Sequence, residues 1–91
     1  MLEDKKIILF LSRIDYKKGI DLLIKAISFI IKSKKIKVRL NIAGPDFGEL
    51  RNLENLVRSL NLPNKTVNFL GNLSGDKKIN FYRQSDLHIV P

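Results

Sequence analysis

The chain contains no cysteine, a single histidine and three prolines in 91 residues. Without thiols there are no disulfides, no thiolate metal sites and no cysteine nucleophile. His88 alone excludes a multi-histidine metal site and leaves a Ser-His-Asp triad unsupported. No apolar run approaches the ~18 residues that mark a membrane-spanning helix. The amino terminus, Met-Leu-Glu-Asp-Lys-Lys, is followed by only a short apolar run and shows no small-residue cleavage site. No signal peptide is read there, which points to the cytoplasm. Acidic residues are also scarce. Nine face seventeen basic ones, for a net charge of +8.

Hydrophobic residues make up 44% and charged residues 29%, which excludes a disordered chain. The length allows at most one domain, since domains usually run to ~100–200 residues. A chain of this size buries only a little more than ~60% of its unfolded surface, so its core is small. The positive surplus fits a nucleic acid, an anionic lipid or a phosphorylated ligand. It also fits a general compositional bias, because twelve of the cations are lysines and isoleucine and asparagine are abundant too.

Hydrophobic periodicity divides the chain into alternating strands and helices. Residues 6–11 form a continuous apolar run, as expected of a strand buried on both faces. From 19 to 34, Ile20, Leu23, Ile24, Ile27, Ile30 and Ile31 fall on one helical face. Lys32, Lys34 and Lys35 stand at its carboxyl end, where the helix dipole favours cations. Residues 38–43 return to strand character and stop at Gly44-Pro45. A second helix is expected over about 48–60, a third strand over 66–70, and a short helix over 76–84. Ser74 is a candidate cap for that last helix, with Ile79 and Tyr82 turned inward. Residues 87–90 begin a fourth strand.

The resulting β-α-β-α-β-α-β order predicts an α/β fold with an open, parallel, doubly wound sheet and right-handed crossovers. The fourth strand has no helix after it, so the unit reads as incomplete. A stable four-stranded domain is the alternative, since four strands are within the ordinary range.

Ligands of such sheets bind beyond the carboxyl ends of the strands. That rule nominates residues 12–18, 44–47 and 71–74. The first loop, Ser12-Arg13-Ile14-Asp15-Tyr16-Lys17-Lys18-Gly19, has neither the G-x-G-x-x-G of a dinucleotide site nor the G-x-x-x-x-G-K of a P-loop. It does place Arg13, Lys17 and Lys18 against a helix N-terminus, which already favours anions. Arg13 can fork onto two phosphate oxygens and a lysine can add a point charge, so a diphosphate suits this loop. The same charges also suit a plainly solvated loop. Gly44 and Gly71 end strands, where a glycine either makes a turn or lets backbone approach a ligand. His88 is read as a satisfied strand residue. Asp15, Asp21, Asp46, Asp76 and Asp86 are dispersed and form no catalytic carboxylate pair.

Four stretches carry a likeness to a known family. They are Ile8-Leu9-Phe10-Leu11-Ser12-Arg13-Ile14 continuing to Lys18-Gly19-Ile20-Asp21-Leu22-Leu23; Leu40-Asn41-Ile42-Ala43-Gly44-Pro45; Val67-Asn68-Phe69-Leu70-Gly71; and Tyr82-Arg83-Gln84-Ser85-Asp86-Leu87-His88-Ile89-Val90-Pro91. In order and spacing the chain resembles the Rossmann-like, nucleotide-sugar-binding half of group 1 glycosyltransferases of the GT-B fold, over essentially its whole length. The resemblance implies a retaining sugar transfer from a nucleoside-diphosphate sugar, with no metal or other cofactor required. It carries the donor diphosphate onto Arg13 and Lys18, and the nucleoside onto Gly44, Gly71, Asn72 and Leu73. Ser12 stands where the family has a glycine.

The same resemblance implies that residues 1–91 are part of a donor-binding domain. The family's E-x7-E segment and its amino-terminal acceptor domain would be absent, and the chain alone would be catalytically silent. No residue of the chain itself is assigned a catalytic role, and no specific nucleic acid is expected. Two other readings remain beside it. One is a non-catalytic α/β module that binds a partner through its unfinished sheet edge. The other is a basic nucleic-acid module, using lysines at 32–37 and 77–78 with Tyr16, Phe47 and Tyr82 for stacking. If relatives with lipid acceptors are a guide, the inner membrane face is a surface these lysines can meet.

Overall fold

The computed structural model describes residues 5–91. The amino-terminal reading over residues 1–4 lies outside the described residues. The elements in chain order are β1 (Lys5–Leu11), a single 3-10 turn (Tyr16–Lys18), α1 (Ile20–Lys34), β2 (Lys37–Ala43), α2 (Leu50–Ser59), β3 (Val67–Gly71), α3 (Gly75–Gln84) and β4 (Leu87–Ile89). The expected alternation is therefore present. The four strands form one all-parallel sheet in the order β3-β2-β1-β4.

This order follows from the connections. The first two crossovers step in one direction, from β1 to β2 to β3. The third returns past both and sets β4 on the free side of β1. With right-handed crossovers, α1 and α2 share one face of the sheet and α3 takes the other. The packing agrees, since α1 contacts α2 while α3 packs on β1.

The core lies between the sheet and the α1–α2 layer. Ile20, Ile24 and Ile27 of α1 and Leu53 of α2 are buried against Phe10, Leu40 and Ile42. Burying each such side chain stabilises the fold by about 1.5–3 kcal/mol. Leu9 and Phe10, adjacent and therefore on opposite faces, are both buried, as the two-sided reading of β1 requires. On the other face of β2 and β3 the sheet is polar. Asn41 is buried, and its side-chain carbonyl accepts a 3.0 Å hydrogen bond from the Asn68 amide.

Several local expectations are corrected. Ile79 and Tyr82 are exposed (48% and 39%) rather than turned inward, and α3 has no fully buried residue. The half-buried position of this helix is Phe81. Tyr82 instead lies beside His88, with ring centroids 3.9 Å apart. Ile30 of α1 is also partly exposed, because it lies at the margin of the buried stripe. Ser74 does occupy the cap position of α3, but its hydroxyl makes no capping bond. α2 begins at Leu50 rather than near 48. Asp46 Oδ1 accepts from both Gly48 N (2.8 Å) and Leu50 N (3.1 Å), which holds the preceding residues in a turn. His88 is exposed yet satisfied, with Nε2 donating to the Tyr82 carbonyl at 2.7 Å.

Candidate functional site

The carboxyl ends of β1 and β4 flank the point where the strand order reverses, the usual ligand crevice of open parallel sheets. Three loops meet there and are tied together by backbone hydrogen bonds. Ser12 N donates to the Ala43 carbonyl, Ile14 N to the Pro45 carbonyl, and Phe47 N back to the Ile14 carbonyl. Ile14 pairs with Asp46 as a short parallel bridge and is itself 1% exposed. The mostly polar first loop is therefore anchored by one buried apolar residue, not carried as a free surface arc.

Gly44 is where the first two loops come closest. Its φ is 151°, and a Cβ at this position would overlap the Ser12 carbonyl group. Its N–H donates to the Gly71 carbonyl at 2.8 Å, across the irregular register between β2 and β3. A glycine is thus needed here for backbone packing. That requirement accounts for Gly44 whether or not a ligand is bound.

A depression of about 310 Å³ opens over these ends. Of the residues nominated for the nucleoside, Gly44, Asn72 and Leu73 line it, joined by Ser12, Lys78 and Val90. Gly71 is not in its lining, although its carbonyl anchors Gly44. Lys78 was not nominated as a donor-site residue. The signal available for it was one turn of α3: a lysine at 78 on a helix starting at Gly75 lies within reach of the strand ends.

Arg13 and Lys18 sit on the β1–α1 connection and do not line this depression. The Arg13 guanidinium lies 5.1 Å from the centroid of the Phe47 ring, a cation–π contact between the first and second loops. Such a contact contributes about 0.5–1 kcal/mol at an exposed site. Phe47, which belongs to the nominated 44–47 loop and is also a candidate for stacking on nucleic acid, here supports the arginine. Lys18 closes the 3-10 turn, whose start is held by Asp15. The Asp15 carboxylate accepts from Lys17 N at 3.2 Å, and its carbonyl accepts from Lys18 N at 3.0 Å. Gly19, with φ 68°, then switches the chain into α1. The N-terminus of α1 has no side-chain cap, and Asp21 supplies the one carboxylate of its first turn. The arrangement offers a guanidinium, an ammonium and an uncapped helix start on one loop, which can neutralise a multiply charged anion.

The family model for group 1 glycosyl transferases matches residues 2–91. An uncharacterised glycosyltransferase of Methanocaldococcus jannaschii is 39% identical over 90 residues, covering 98% of this chain. The chain spans 22% of the length of that relative.

Proposed function

The chain belongs to the group 1 glycosyl transferases, and from that premise we propose that it is the diphosphate-holding part of a nucleotide-sugar-binding domain of the GT-B type. The whole enzyme moves a sugar from a nucleoside-diphosphate donor to an acceptor with retention of configuration. Arg13 and Lys18 contact the diphosphate. Gly44, Gly71, Asn72 and Leu73 lie along the nucleoside. The observation that carries this reading is the single loop that sets Arg13 and Lys18 before the uncapped start of α1, at the strand-order reversal.

When the bond from the anomeric carbon to the diphosphate oxygen breaks, negative charge grows on the leaving group. Cations already in position favour that state over the ground state. Phe47 under Arg13 keeps the guanidinium near the second loop without neutralising it. Orientation of the acceptor requires further polypeptide, and half a cleft lacks the positioning on which the rate depends. The isolated chain is accordingly a weak donor binder without turnover. The outer strand β4, with Leu87 52% exposed and Val90 64% exposed beside it, favours a sheet that is continued by additional polypeptide.

The test is a titration of the 91-residue chain with UDP and with GDP, following backbone amides by NMR. The expected result is saturable, millimolar shifts at Arg13, Lys18 and the Gly44 and Gly71 turns, lost in an Arg13→Ala/Lys18→Ala variant that keeps its fold. A folded spectrum without response at these positions, or equal response in the variant, overturns the assignment.

A further inference from the structure

α1 carries a second apolar line on the side away from the sheet. Ile20, Ile24 and Ile27 are buried, and Ile31 packs against the core. Leu22, Ala26, Phe29 and Ser33 each stand two residues after one of these, and so about 200° further round the helix. All four are exposed, Leu22 at 67% and Phe29 at 71%. Single exposed apolar residues are ordinary. Here two large ones share a line one heptad apart, alternating with two small residues.

The steps along this line are four, three and four residues, the interval at which one helix seats another. Leu22 and Phe29 are the large knobs, and Ala26 and Ser33 leave room between them for a second helix. The Ser33 hydroxyl already donates to the Phe29 carbonyl at 2.6 Å, so covering it strands no donor. Lys25 and Lys32, also one heptad apart, flank one side of the line, where charges select the partner of a helix pair. The Lys32 ammonium donates to the Leu60 carbonyl at 2.7 Å, which fixes it beside the seam with two of its three donors left over. α1 has one acidic residue, Asp21, against three lysines. The neighbouring α2 adds exposed Arg51 and Arg58 and one exposed carboxylate, Glu54. Lys5, the first described residue, pairs with Lys37 at the edge where α1 ends, whereas Leu22 and Lys25 lie in the first half of α1, towards the other edge.

We propose that the outer face of α1 docks an amphipathic helix of a partner protein, with apolar residues along the seam and carboxylates facing Lys25 and Lys32. This face is distinct from the donor loop, and its assignment does not depend on the donor reading. A second copy of this chain is disfavoured, because it would set one cationic face against another. A bilayer is disfavoured too, because Ala26 and Ser33 leave a notched line and not the broad apolar face that an interfacial helix inserts.

The probe is a three-heptad peptide with leucine at the a and d positions and glutamate at e and g, whose like charges keep it from pairing with itself. It is titrated into the 15N-labelled 91-residue chain, with a peptide carrying lysine at e and g as control. The expected result is saturable shifts at the amides of residues 22–33 with the acidic peptide and none with the basic one. Phe29→Ala is expected to weaken binding about tenfold, as loss of an aromatic anchor predicts. Lys25→Glu should weaken it about fivefold, by turning an attraction into a repulsion. Both side chains are exposed, so both variants should keep the parent spectrum elsewhere. Parallel arms measure self-association by sedimentation and binding to phosphatidylglycerol vesicles. No saturable response to the acidic peptide, equal response to the basic one, unchanged affinity in Phe29→Ala, or shifts centred on α3 and β4 refute the docking face. Self-association or vesicle binding that Phe29→Ala abolishes, without peptide binding, gives the face to a second copy or to lipid and overturns the proposal.

Discussion

Replacing Gly44 with alanine tests whether the three loops of the candidate site are held by close backbone packing. The added Cβ would overlap the Ser12 carbonyl oxygen and lie 2.6 Å from its carbon. Neither neighbour is the movable end of a side chain. Ser12 N is bonded to the Ala43 carbonyl and Gly44 N to the Gly71 carbonyl, so relief requires three strand ends to move. Overpacking of this kind costs about 1–3 kcal/mol. The φ of 151° adds backbone strain for a residue with a side chain, roughly 1–3 kcal/mol more. A chain of this length has a total stability of about 5–14 kcal/mol, so the substitution removes a large share of it.

Gly71→Ala is the matched control. Its φ of 75° carries conformational strain of about 1–2 kcal/mol, and an added Cβ would meet nothing within 4 Å among the described residues beyond its chain neighbours. Thermal unfolding followed by circular dichroism compares the two. Each kcal/mol shifts Tm by about 4–8 °C in a domain of this size. Gly44→Ala should lose more than ~10 °C or fail to fold, and Gly71→Ala should lose clearly less. Equal losses in the two variants, or a Gly44→Ala protein melting within a few degrees of the parent, would refute the close-packing argument.

The Asn41–Asn68 pair gives a non-additive prediction. Asn68→Ala strands the buried Asn41 carbonyl oxygen and should cost about 1–3 kcal/mol. An Asn41→Leu/Asn68→Val double variant should cost less than the sum of the singles in urea melts, and strict additivity would show that the bond does not couple them. Leu53 is the fully buried residue of α2, so Leu53→Ala should destabilise by about 2–5 kcal/mol. A loss under ~1 kcal/mol in the same melts would mean that α2 is not docked as described.

The elements were legible because each carries its own period. Leu9 and Phe10 sit in a run too short and too uniformly apolar for a surface strand, and Ile20, Ile24 and Ile27 recur on one face of a helix. The basic loop was legible too, as Arg13 and Lys18 before a helix start. α3 buries a different side from the one its apolar residues suggest, for a physical reason. A short helix with a mixed apolar pattern has no stripe strong enough to show which side it buries, and contact with β1 makes Phe81 its half-buried position. The start of α2 differs for another reason: Gly48 is a poor helix former held at φ 104°, and one Asp46 oxygen binds the amides of Gly48 and Leu50, so the helix opens at Leu50.

The sequence by itself determined the alternating order of strands and helices, the parallel sheet that this order requires, and the loop on which Arg13, Lys17 and Lys18 stand before a helix start. These depend on local spacing and on the fixed hand of the crossovers. Only the tertiary structure decided that Ile14 is a buried anchor, that Phe47 lies beside Arg13, that Gly44 is required by the Ser12 carbonyl, and that Lys78 joins the depression. Each of those depends on which residues distant in the chain are brought within a few ångströms, and a one-dimensional pattern carries no such distance.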